Sequence, residues 1–355
     1  DPAFATLWDV QRLLKNEFLG DIPKAQTQVY GAVHGLVQTY NDPFTVFVEP
    51  APRTLERDDL RGHFGGVGAN MARNQAGDLV LRPIKDRPAA RAGVLDGDVL
   101  VAVDGKPVTV QMSVDQVVVI VRGDVGTRVV LTLRRAGRPD TFDIAVVRAE
   151  IQLPSVDWRV LDEGQHIGYV HISLLGEQTS AELKSGLAEL AKSGVNKLVL
   201  DLRGDGGGYL DAAVDTTSQL LRQGTVLREV KRGGDETAYS IKSVESPAFG
   251  WPIVVLVDGG TASAAEIISG ALRDQNRAVL IGEKTYGKGS VQRVHELSDG
   301  SSLHGTVARW LAPNRHQIDK AGLEPDVEVA LTAGDRDAGK DPQLDRAINW
   351  LRGQH

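Results

Sequence analysis

The 355-residue chain contains no cysteine. A disulfide framework, a thiolate nucleophile and a cysteine metal site are therefore all excluded. The chain also lacks excess positive charge: its net charge of −7 gives no electrostatic reason to expect nucleic acid or an anionic membrane as a partner. No apolar run reaches the length of a membrane span or resembles a signal peptide, so we expect any export segment to be missing from this chain.

The overall composition, with 41% hydrophobic and 25% charged residues, is that of an ordinary globular protein. A length of 355 residues suits two or three domains. None of the eight histidines has a triad-like setting, and we assign none of them to catalysis. Three aspartates near one another in sequence, Asp201, Asp205 and Asp211, have no histidine or cysteine partner. We therefore expect turn and capping roles for them, and neither a metal nor a cofactor.

The most informative stretch is a strand that turns into a helix around Ser263. A continuous run of branched apolar residues, Ile253–Val257, predicts a strand covered on both faces. Two glycines follow, and apolar or small residues then recur at helical spacing from residue 264 to 272. Ser263 thus lies beside free backbone N–H groups and the positive end of a helix dipole. On this segment alone, a helix N-cap is the simpler interpretation of Ser263.

A glycine-rich loop downstream supplies a candidate partner for this serine. A predicted strand at residues 278–281 runs into it, and Lys288 lies there between Gly287 and Gly289. Glycines on both sides let the lysine and its backbone approach another group closely. Taken singly, Lys288 would be a solvated surface lysine in a turn.

Together the two stretches resemble the C-terminal processing peptidases, the tail-specific Ser–Lys proteases. Lys288 follows Ser263 by 25 positions (288 − 263), which is the interval that this family uses. The resemblance covers nearly the whole chain and is strongest from residue 198 to 326. The segments that match the family's motifs are Ser263-Ala264-Ala265-Glu266-Ile267, Gly270-Ala271-Leu272-Arg273-Asp274, Gly282-Glu283-Lys284-Thr285-Tyr286-Gly287-Lys288-Gly289 and Val291-Gln292.

The resemblance implies that Ser263 is a nucleophile and that Lys288 is its general base. An exposed lysine, with a pKa near ~10.4, would be almost fully protonated at neutral pH. Burial disfavours the charged form and would lower that pKa enough to make the amine serviceable. Gln292, four positions further on, would orient the amine without adding a negative charge.

A second glycine run bears on stabilisation of the oxyanion. A predicted strand at residues 197–202 ends in Arg203-Gly204-Asp205-Gly206-Gly207-Gly208. A phosphate cradle would also use such a run, but the spacing is not the dinucleotide pattern. In the family this segment supplies a glycine N–H to the oxyanion hole, although the family has Asn and often Pro where this chain has Asp205 and Gly206. We expect Gly208, or otherwise Gly207, to act with the N–H of Ala264.

Residues 61–150 resemble a PDZ domain in the circularly permuted form of bacterial proteases. Pro-Ala-x-x-Ala-Gly and Gly-Asp motifs at residues 88–98 support this interpretation, as do a predicted helix at 114–121 and a strand at 128–134. A loop near the start of the segment can turn backbone N–H groups toward the terminal carboxylate of a peptide. The residues of that loop are Phe64, Gly65, Gly66, Val67 and Gly68.

The sequence is therefore divided into four segments. Residues 1–60 are predicted to be helical, 61–150 to form the PDZ domain, 151–333 the Ser–Lys protease core, and 334–355 a polar linker with a C-terminal helix. The resemblance implies an α/β (α+β multidomain) fold: a crotonase/ClpP-like αβ core with an inserted PDZ domain and an N-terminal helical segment. It also implies an extracytoplasmic location, either periplasmic or secreted to the cell envelope or beyond it.

The predicted function is a serine endopeptidase that recognises the C-terminal tail of protein or peptide substrates, with a free and apolar last residue. A non-catalytic PDZ or ligand-binding protein on the same scaffold is one alternative, against which Ser263, Lys288 and Gln292 argue. A crotonase-like acyl-CoA enzyme is another, but it would need neither the Ser–Lys pair nor a PDZ domain. Monomer and homo-oligomer both remain open.

Overall fold

The computed structural model describes residues 2–162, 164 and 166–354. It contains two compact units, Asp1–Pro50 with Gln292–Thr306, and Ala51–Val291 with Val307–His355. Among the residues described, no helix combines the length and apolarity needed to cross a membrane.

The first unit begins with a 3-10 turn, Pro2–Phe4, and two helices, α1 (Ala5–Glu17) and α2 (Ala25–Gln38). The sequence predicts an apolar stripe on each helix. None of the residues that form α1 and α2 is buried; the stripes instead line an open apolar cleft of about 540 Å³. A short strand that the sequence does not predict, β1 (Val46–Val48), pairs antiparallel with residues 302–304. Three residues are too few to show an alternating pattern.

The second unit starts with α3 (Pro50–Arg61) and continues through a small, mainly antiparallel region. Its elements are β2 (His63–Gly66), β3 (Ala69–Arg73), β4 (Leu79–Pro83), α4 (Pro88–Arg91), β5 (Val99–Val103), β6 (Lys106–Pro107), α5 (Val114–Val121), β7 (Arg128–Arg134), β8 (Phe142–Val147) and β9 (Ala149–Gln152).

The helix and strand predicted at residues 114–121 and 128–134 are confirmed as α5 and β7. The capping box of Ser113 and Gln116 starts α5, and the alternate residues of β7 are fully buried in the local core. The main sheet has the order β3-β4-β5-β7-β8, and β2 pairs separately with β9. Arg122, which ends α5, is tied to α3 by an ion pair with Asp58 at 2.9 Å.

From residue 156 the chain alternates strands and helices. These elements are β10 (Val156–Asp162), β11 (Ile167–Ile172), α6 (Thr179–Lys192), β12 (Lys197–Asp201), α7 (Leu210–Ser218), β13 (Thr225–Lys231), β14 (Glu236–Ser240), β15 (Ile253–Val257), α8 (Ala264–Asp274), β16 (Ala278–Gly282), β17 (Ser290–Glu296), β18 (Ser302–Leu311), β19 (Val327–Glu328), α9 (Ala333–Asp337) and α10 (Pro342–Leu351). A 3-10 turn, Pro247–Gly250, precedes β15.

The core sheet has the order β10-β11-β12-β15-β16-β19 and is parallel from β11 to β19. All five residues of β15 are buried, as the unbroken apolar run predicts. Ile253, Val255 and Val257 pack toward α6, α7 and α8, whereas Val254 and Leu256 pack toward α10. Neighbouring parallel strands end at the same edge of a sheet, so the loops that follow β12 and β15 meet there.

The sequence predicts a helix at residues 180–192 with Thr179 or Ser180 as its cap, and the predicted cap is wrong. The N-cap of α6 is Gln178, which makes no side-chain cap, and the Thr179 hydroxyl accepts the N–H of Gly176 instead. The segment expected to be a polar linker, residues 334–340, includes most of α9, which the capping box of Thr332 and Asp335 starts. Asp341 and Pro342 predict the start of the last helix, and Asp341 caps α10 by accepting the N–H of Leu344 at 3.0 Å.

Candidate active site

Ser263 occupies the turn between β15 and α8 in an unusual backbone conformation. Its φ of 54° and ψ of −118° are rarely adopted by a residue other than glycine. Neighbouring backbone bonds hold the turn: Ala262 N–H donates to the carbonyl of Asp205 at 2.9 Å, and Tyr286 N–H to that of Thr261 at 3.0 Å. Ser263 is only half-buried although Ala262 and Ala264 are buried. The strained turn therefore leaves the serine accessible between two inaccessible neighbours.

Lys288 lies in the loop between β16 and β17, and its backbone is fixed at both ends. Its N–H donates to Glu266 Oε2 at 2.9 Å, and its carbonyl accepts Nε1–H of Trp310 at 3.1 Å. The side chain is half-buried, and this burial lowers its pKa, while the negative charge of Glu56 partly opposes the shift. Burial thus favours the neutral amine, which is the form that a general base requires.

The glycine before this lysine is required by the packing. Gly287 has a φ of 89°, and a Cβ on it would lie 2.8 Å from the backbone nitrogen of Gly322. Only glycine combines this conformation with this approach.

One buried carboxylate joins the serine turn to the lysine loop. Glu266 is fully buried on the first turn of α8. Its Oε2 accepts the N–H of Ser263 at 2.8 Å and that of Lys288 at 2.9 Å. Its Oε1 accepts the N–H of Gly287 at 2.8 Å and the hydroxyl of Thr285. Burial raises the pKa of Glu266, and the four donated hydrogen bonds oppose that shift.

From the sequence, Glu266 is only one member of a motif, and no role is predicted for it. The signal that points to a role is its position three residues after Ser263, which is the spacing of a capping box. Its contacts to residues 285–288 depend on how two loops meet in space.

The glycine run after β12 lies directly against Ser263. A Cβ on Gly207 would be 2.8 Å from the Ser263 Cβ and 2.9 Å from the Ala264 nitrogen. The Gly207 N–H donates to Asp205 Oδ1 at 2.8 Å. Within the described part of the chain, the N–H groups of Gly208 and Ala264 have no acceptor. The two unengaged donors are thus the N–H that follows Ser263 and the N–H that follows the glycine packed against Ser263.

The start of this glycine run is anchored to the last helix. The guanidinium of Arg203 bonds to Asp201 at 2.6 Å and to Asp341 at 2.8 Å, and it also donates to Gln343 at 2.9 Å. Because Asp341 is the N-cap of α10, this network ties the loop to the opposite face of the sheet.

Gln292 belongs to the other compact unit. Its side-chain amide donates to the hydroxyl of Thr306 at 3.1 Å within that unit. Its orienting role stays a prediction. The second unit by itself brings together Ser263, Lys288 and the glycine run.

The predicted peptide-binding loop lies between β2 and β3. Residues 64–66 pair with β9, and the carbonyls of Val67 and Gly68 accept the N–H groups of Ala89 and Ile84. The N–H groups of Val67 and Gly68 have no acceptor among the described residues, although both residues are buried. Buried N–H groups normally have a hydrogen-bond acceptor. Two adjacent N–H groups without one are therefore a candidate anion-binding site.

Two family models match parts of this chain. The model of peptidase family S41 matches residues 166–329, and that of the PDZ domain matches residues 79–135. The carboxy-terminal processing protease CtpA of Bacillus subtilis (strain 168) is 35% identical over 327 residues, covering 92% of this chain and 68% of that protein. The photosystem II D1 C-terminal processing protease is similar in structure, with a TM-score of 0.52 and 33% identity over 90% of this chain and 86% of that one.

The fold is therefore an S41 peptidase core with an inserted PDZ domain, as the resemblance implied. The chain belongs to peptidase family S41, alongside the carboxy-terminal processing proteases. A probable CtpA-like serine protease of Staphylococcus haemolyticus (strain JCSC1435) is 36% identical over 300 residues, which is 84% of this chain. The chain spans only 59% of the length of that relative.

Proposed function

We propose that this chain is a serine endopeptidase with Ser263 as nucleophile and Lys288 as general base. The observation that carries the proposal is the shared carboxylate: Glu266 Oε2 accepts the N–H of both residues, at 2.8 and 2.9 Å. One buried oxygen atom thus fixes the backbones of nucleophile and base relative to each other. A buried acceptor with several charge-assisted bonds is a rigid support for such a pair.

The base would act through its neutral form. Because burial lowers the pKa of Lys288, a larger fraction of the amine is neutral than in an exposed lysine. The neutral amine takes the proton of the Ser263 hydroxyl as its oxygen attacks the scissile carbonyl, and then gives that proton to the leaving amine. Water, deprotonated by the same lysine, releases the acyl group from Ser263.

The developing oxyanion would be held by the N–H groups of Gly208 and Ala264. Both lack an acceptor within the described residues, whereas the N–H of Gly207 is already bonded to Asp205. Preorganised donors in a site of low polarity are worth about 10²–10³ in rate each. This observation favours Gly208 over Gly207 as the donor from the glycine run.

Substrate choice would depend on the PDZ domain. We assign the unpaired N–H groups of Val67 and Gly68 to the terminal carboxylate of a substrate, whose preceding residues would add to the free edge of β3. Apolar residues around Val67 favour an apolar last side chain. Tethering the tail raises the local concentration of the upstream chain at Ser263, and the domain also gates access to the cleft. An extracytoplasmic location is part of the same proposal.

Digestion of an unfolded protein such as casein tests the proposed activity. The wild type should release peptides, whereas Ser263→Ala and Lys288→Ala should release none while their circular dichroism and melting temperature stay unchanged. Full activity in either variant contradicts the assignment. Tail recognition is tested separately with one peptide prepared as free acid and as amide: the amide should have the higher KM, and equal values would remove the loop from recognition.

A further inference from the structure

The buried carboxyl group of Asp205 has no part in the steps above. We propose that Asp205 is a positioning residue of the oxyanion hole, which engages the N–H of Gly207 so that the N–H of Gly208 is presented, and which does this as a neutral acid. The inference rests on the proposed function.

Asp205 makes hydrogen bonds to two segments that lie next to Ser263. Its backbone carbonyl accepts the N–H of Ala262 at 2.9 Å, and its Oδ1 accepts the N–H of Gly207 at 2.8 Å. Gly207 in turn packs against Ser263, where a Cβ would come within 2.8 Å of the serine Cβ. Asp205 therefore holds the residue before the nucleophile and the glycine that packs against the nucleophile. The peptide that follows Gly207 carries the donor assigned to the oxyanion.

The second carboxyl oxygen shows which protonation state this arrangement suits. Asp205 is fully buried, and its Oδ2 has no partner within the described residues. A buried charge with an unsatisfied oxygen is far more costly than a buried neutral acid. Burial accordingly raises the pKa of Asp205 to about 7, although the hydrogen bond from Gly207 acts in the opposite direction.

No neighbouring charge accounts for the raised pKa of Asp205. On adjacent elements, the charged side chains of Arg203, Asp258 and Glu266 are each engaged with other groups. Arg203 is bonded to Asp201 and Asp341, Asp258 accepts the N–H groups of Gly204 and Gly260, and Glu266 accepts its four donors. Lys288 is not among the groups that shift this pKa. The pKa of Asp205 is set by burial first and the Gly207 bond second.

A charged Asp205 would oppose catalysis. The tetrahedral intermediate places a negative charge beside Gly208, one peptide from the carboxyl group, and two negative charges repel strongly in a buried site. Lys288 must be deprotonated for attack, whereas Asp205 must stay protonated. The product of these two requirements is a bell-shaped dependence of kcat/KM on pH. Loss of the Asp205 proton produces the alkaline decline, which is centred on the higher of the two apparent pKa values whichever group that value describes.

The test compares pH profiles of kcat/KM for the wild type and Asp205→Asn between pH 5 and 10. Asparagine keeps the acceptor oxygen for Gly207 but cannot ionise. The ratio of variant to wild type should be constant at low pH and should grow by about tenfold for each pH unit above the pKa of Asp205, about 7, whichever of the two pKa values is lower. A ratio that stays constant from pH 5 to 10 overturns the proposal.

The substitution Asp205→Ala removes the oxygen that accepts the Gly207 N–H, and so tests whether Asp205 positions the oxyanion hole. Asp205→Ala should lower kcat by about tenfold or more at pH 6 with an unchanged KM, because the oxyanion donor is displaced while substrate binding is not. Asp205→Asn should restore that loss at the same pH. If asparagine is as poor as alanine in folded protein, the hydrogen bond to Gly207 is not what matters. Asp235→Asn, an exposed aspartate in the turn after β13, is the matched control and should behave as wild type.

Protein stability gives a readout that needs no activity. An aspartate whose pKa is raised in the folded state costs stability as pH rises from its unfolded value, about 3.9, to about 7, and the full cost remains above that. In the Ser263→Ala background, Asp205→Asn should therefore raise the melting temperature at pH 8 and have almost no effect at pH 4. An equal effect at both pH values overturns the proposal. If the wild type cleaves nothing, the proposed function fails, while this measurement still decides the state of Asp205.

Discussion

The substitution Glu266→Gln is the most informative perturbation of the site. The carboxylate accepts four donors, two on each oxygen, and glutamine keeps only one acceptor oxygen. The less costly orientation keeps that oxygen on Ser263 and Lys288 and turns the amide nitrogen toward Thr285. The Thr285 hydroxyl can accept it beside the N–H of Leu323, but its own proton then loses its acceptor. The N–H of Gly287 then faces another donor and loses its partner.

The expected loss follows from the two buried donors that lose their acceptor, the N–H of Gly287 and the hydroxyl of Thr285. A buried donor without an acceptor costs ~1–3 kcal/mol, which is a substantial part of a typical stability of ~5–15 kcal/mol. Because Gly287 precedes Lys288, its displacement also moves the base. A misplacement on the order of 1 Å can cost about 10²-fold in rate, so we expect kcat to fall by about ten- to a hundredfold with KM nearly unchanged.

Urea denaturation measures the first quantity, and hydrolysis of a short fluorogenic peptide measures the second. Glu245→Gln, at an exposed position in the loop before β15, is the matched control and should change neither. If Glu266→Gln has wild-type stability and a kcat within twofold of wild type, the shared carboxylate does not hold the site together.

Three further outcomes are expected. Lys288→Arg should be inactive from pH 6 to 10 in the same peptide assay, because a guanidinium does not deprotonate in this range; any activity that it retains argues against a lysine base. Gly208→Ala should lower kcat by about 10²-fold, since a Cβ there would lie 2.2 Å from the carbonyl oxygen of Leu175 at a φ of 149°, whereas Gly206→Ala, with open space around its Cβ, should stay near wild type. Gly68→Ala, at a φ of 68° and with Arg87 packed against the glycine, should weaken binding of a free-acid peptide measured by fluorescence anisotropy; unchanged affinity would place the carboxylate elsewhere.

The parts of this fold that the sequence predicts are those governed by local pattern. The apolar run of β15 and the helical spacing after it place Ser263 at a strand-to-helix turn, and the structure has these elements at the expected residues. The same pattern predicts apolar stripes on α1 and α2 but not what covers them, and in the structure neither helix has a buried residue. Periodicity reports an amphipathic helix, whereas burial depends on a partner surface.

The details of the site depend on contacts between distant segments. Nothing in the residue type predicts that Ser263 has a positive φ, because a serine avoids that region unless its surroundings impose it. The choice between Gly207 and Gly208 depends on one side-chain bond from Asp205, which composition alone does not reveal. The role of Glu266 required the loop at residues 285–288 to meet the first turn of α8.

The central claim is that Lys288 activates Ser263 as a nucleophile. Reaction of the full chain with a fluorophosphonate probe at pH 8, followed by digestion and mass spectrometry, measures this directly. We predict a single phosphonylated peptide containing Ser263, and a labelling rate at least about a hundredfold lower in Lys288→Ala with its fold intact. A phosphonyl group on another residue, or equal labelling rates in the wild type and Lys288→Ala, would contradict it.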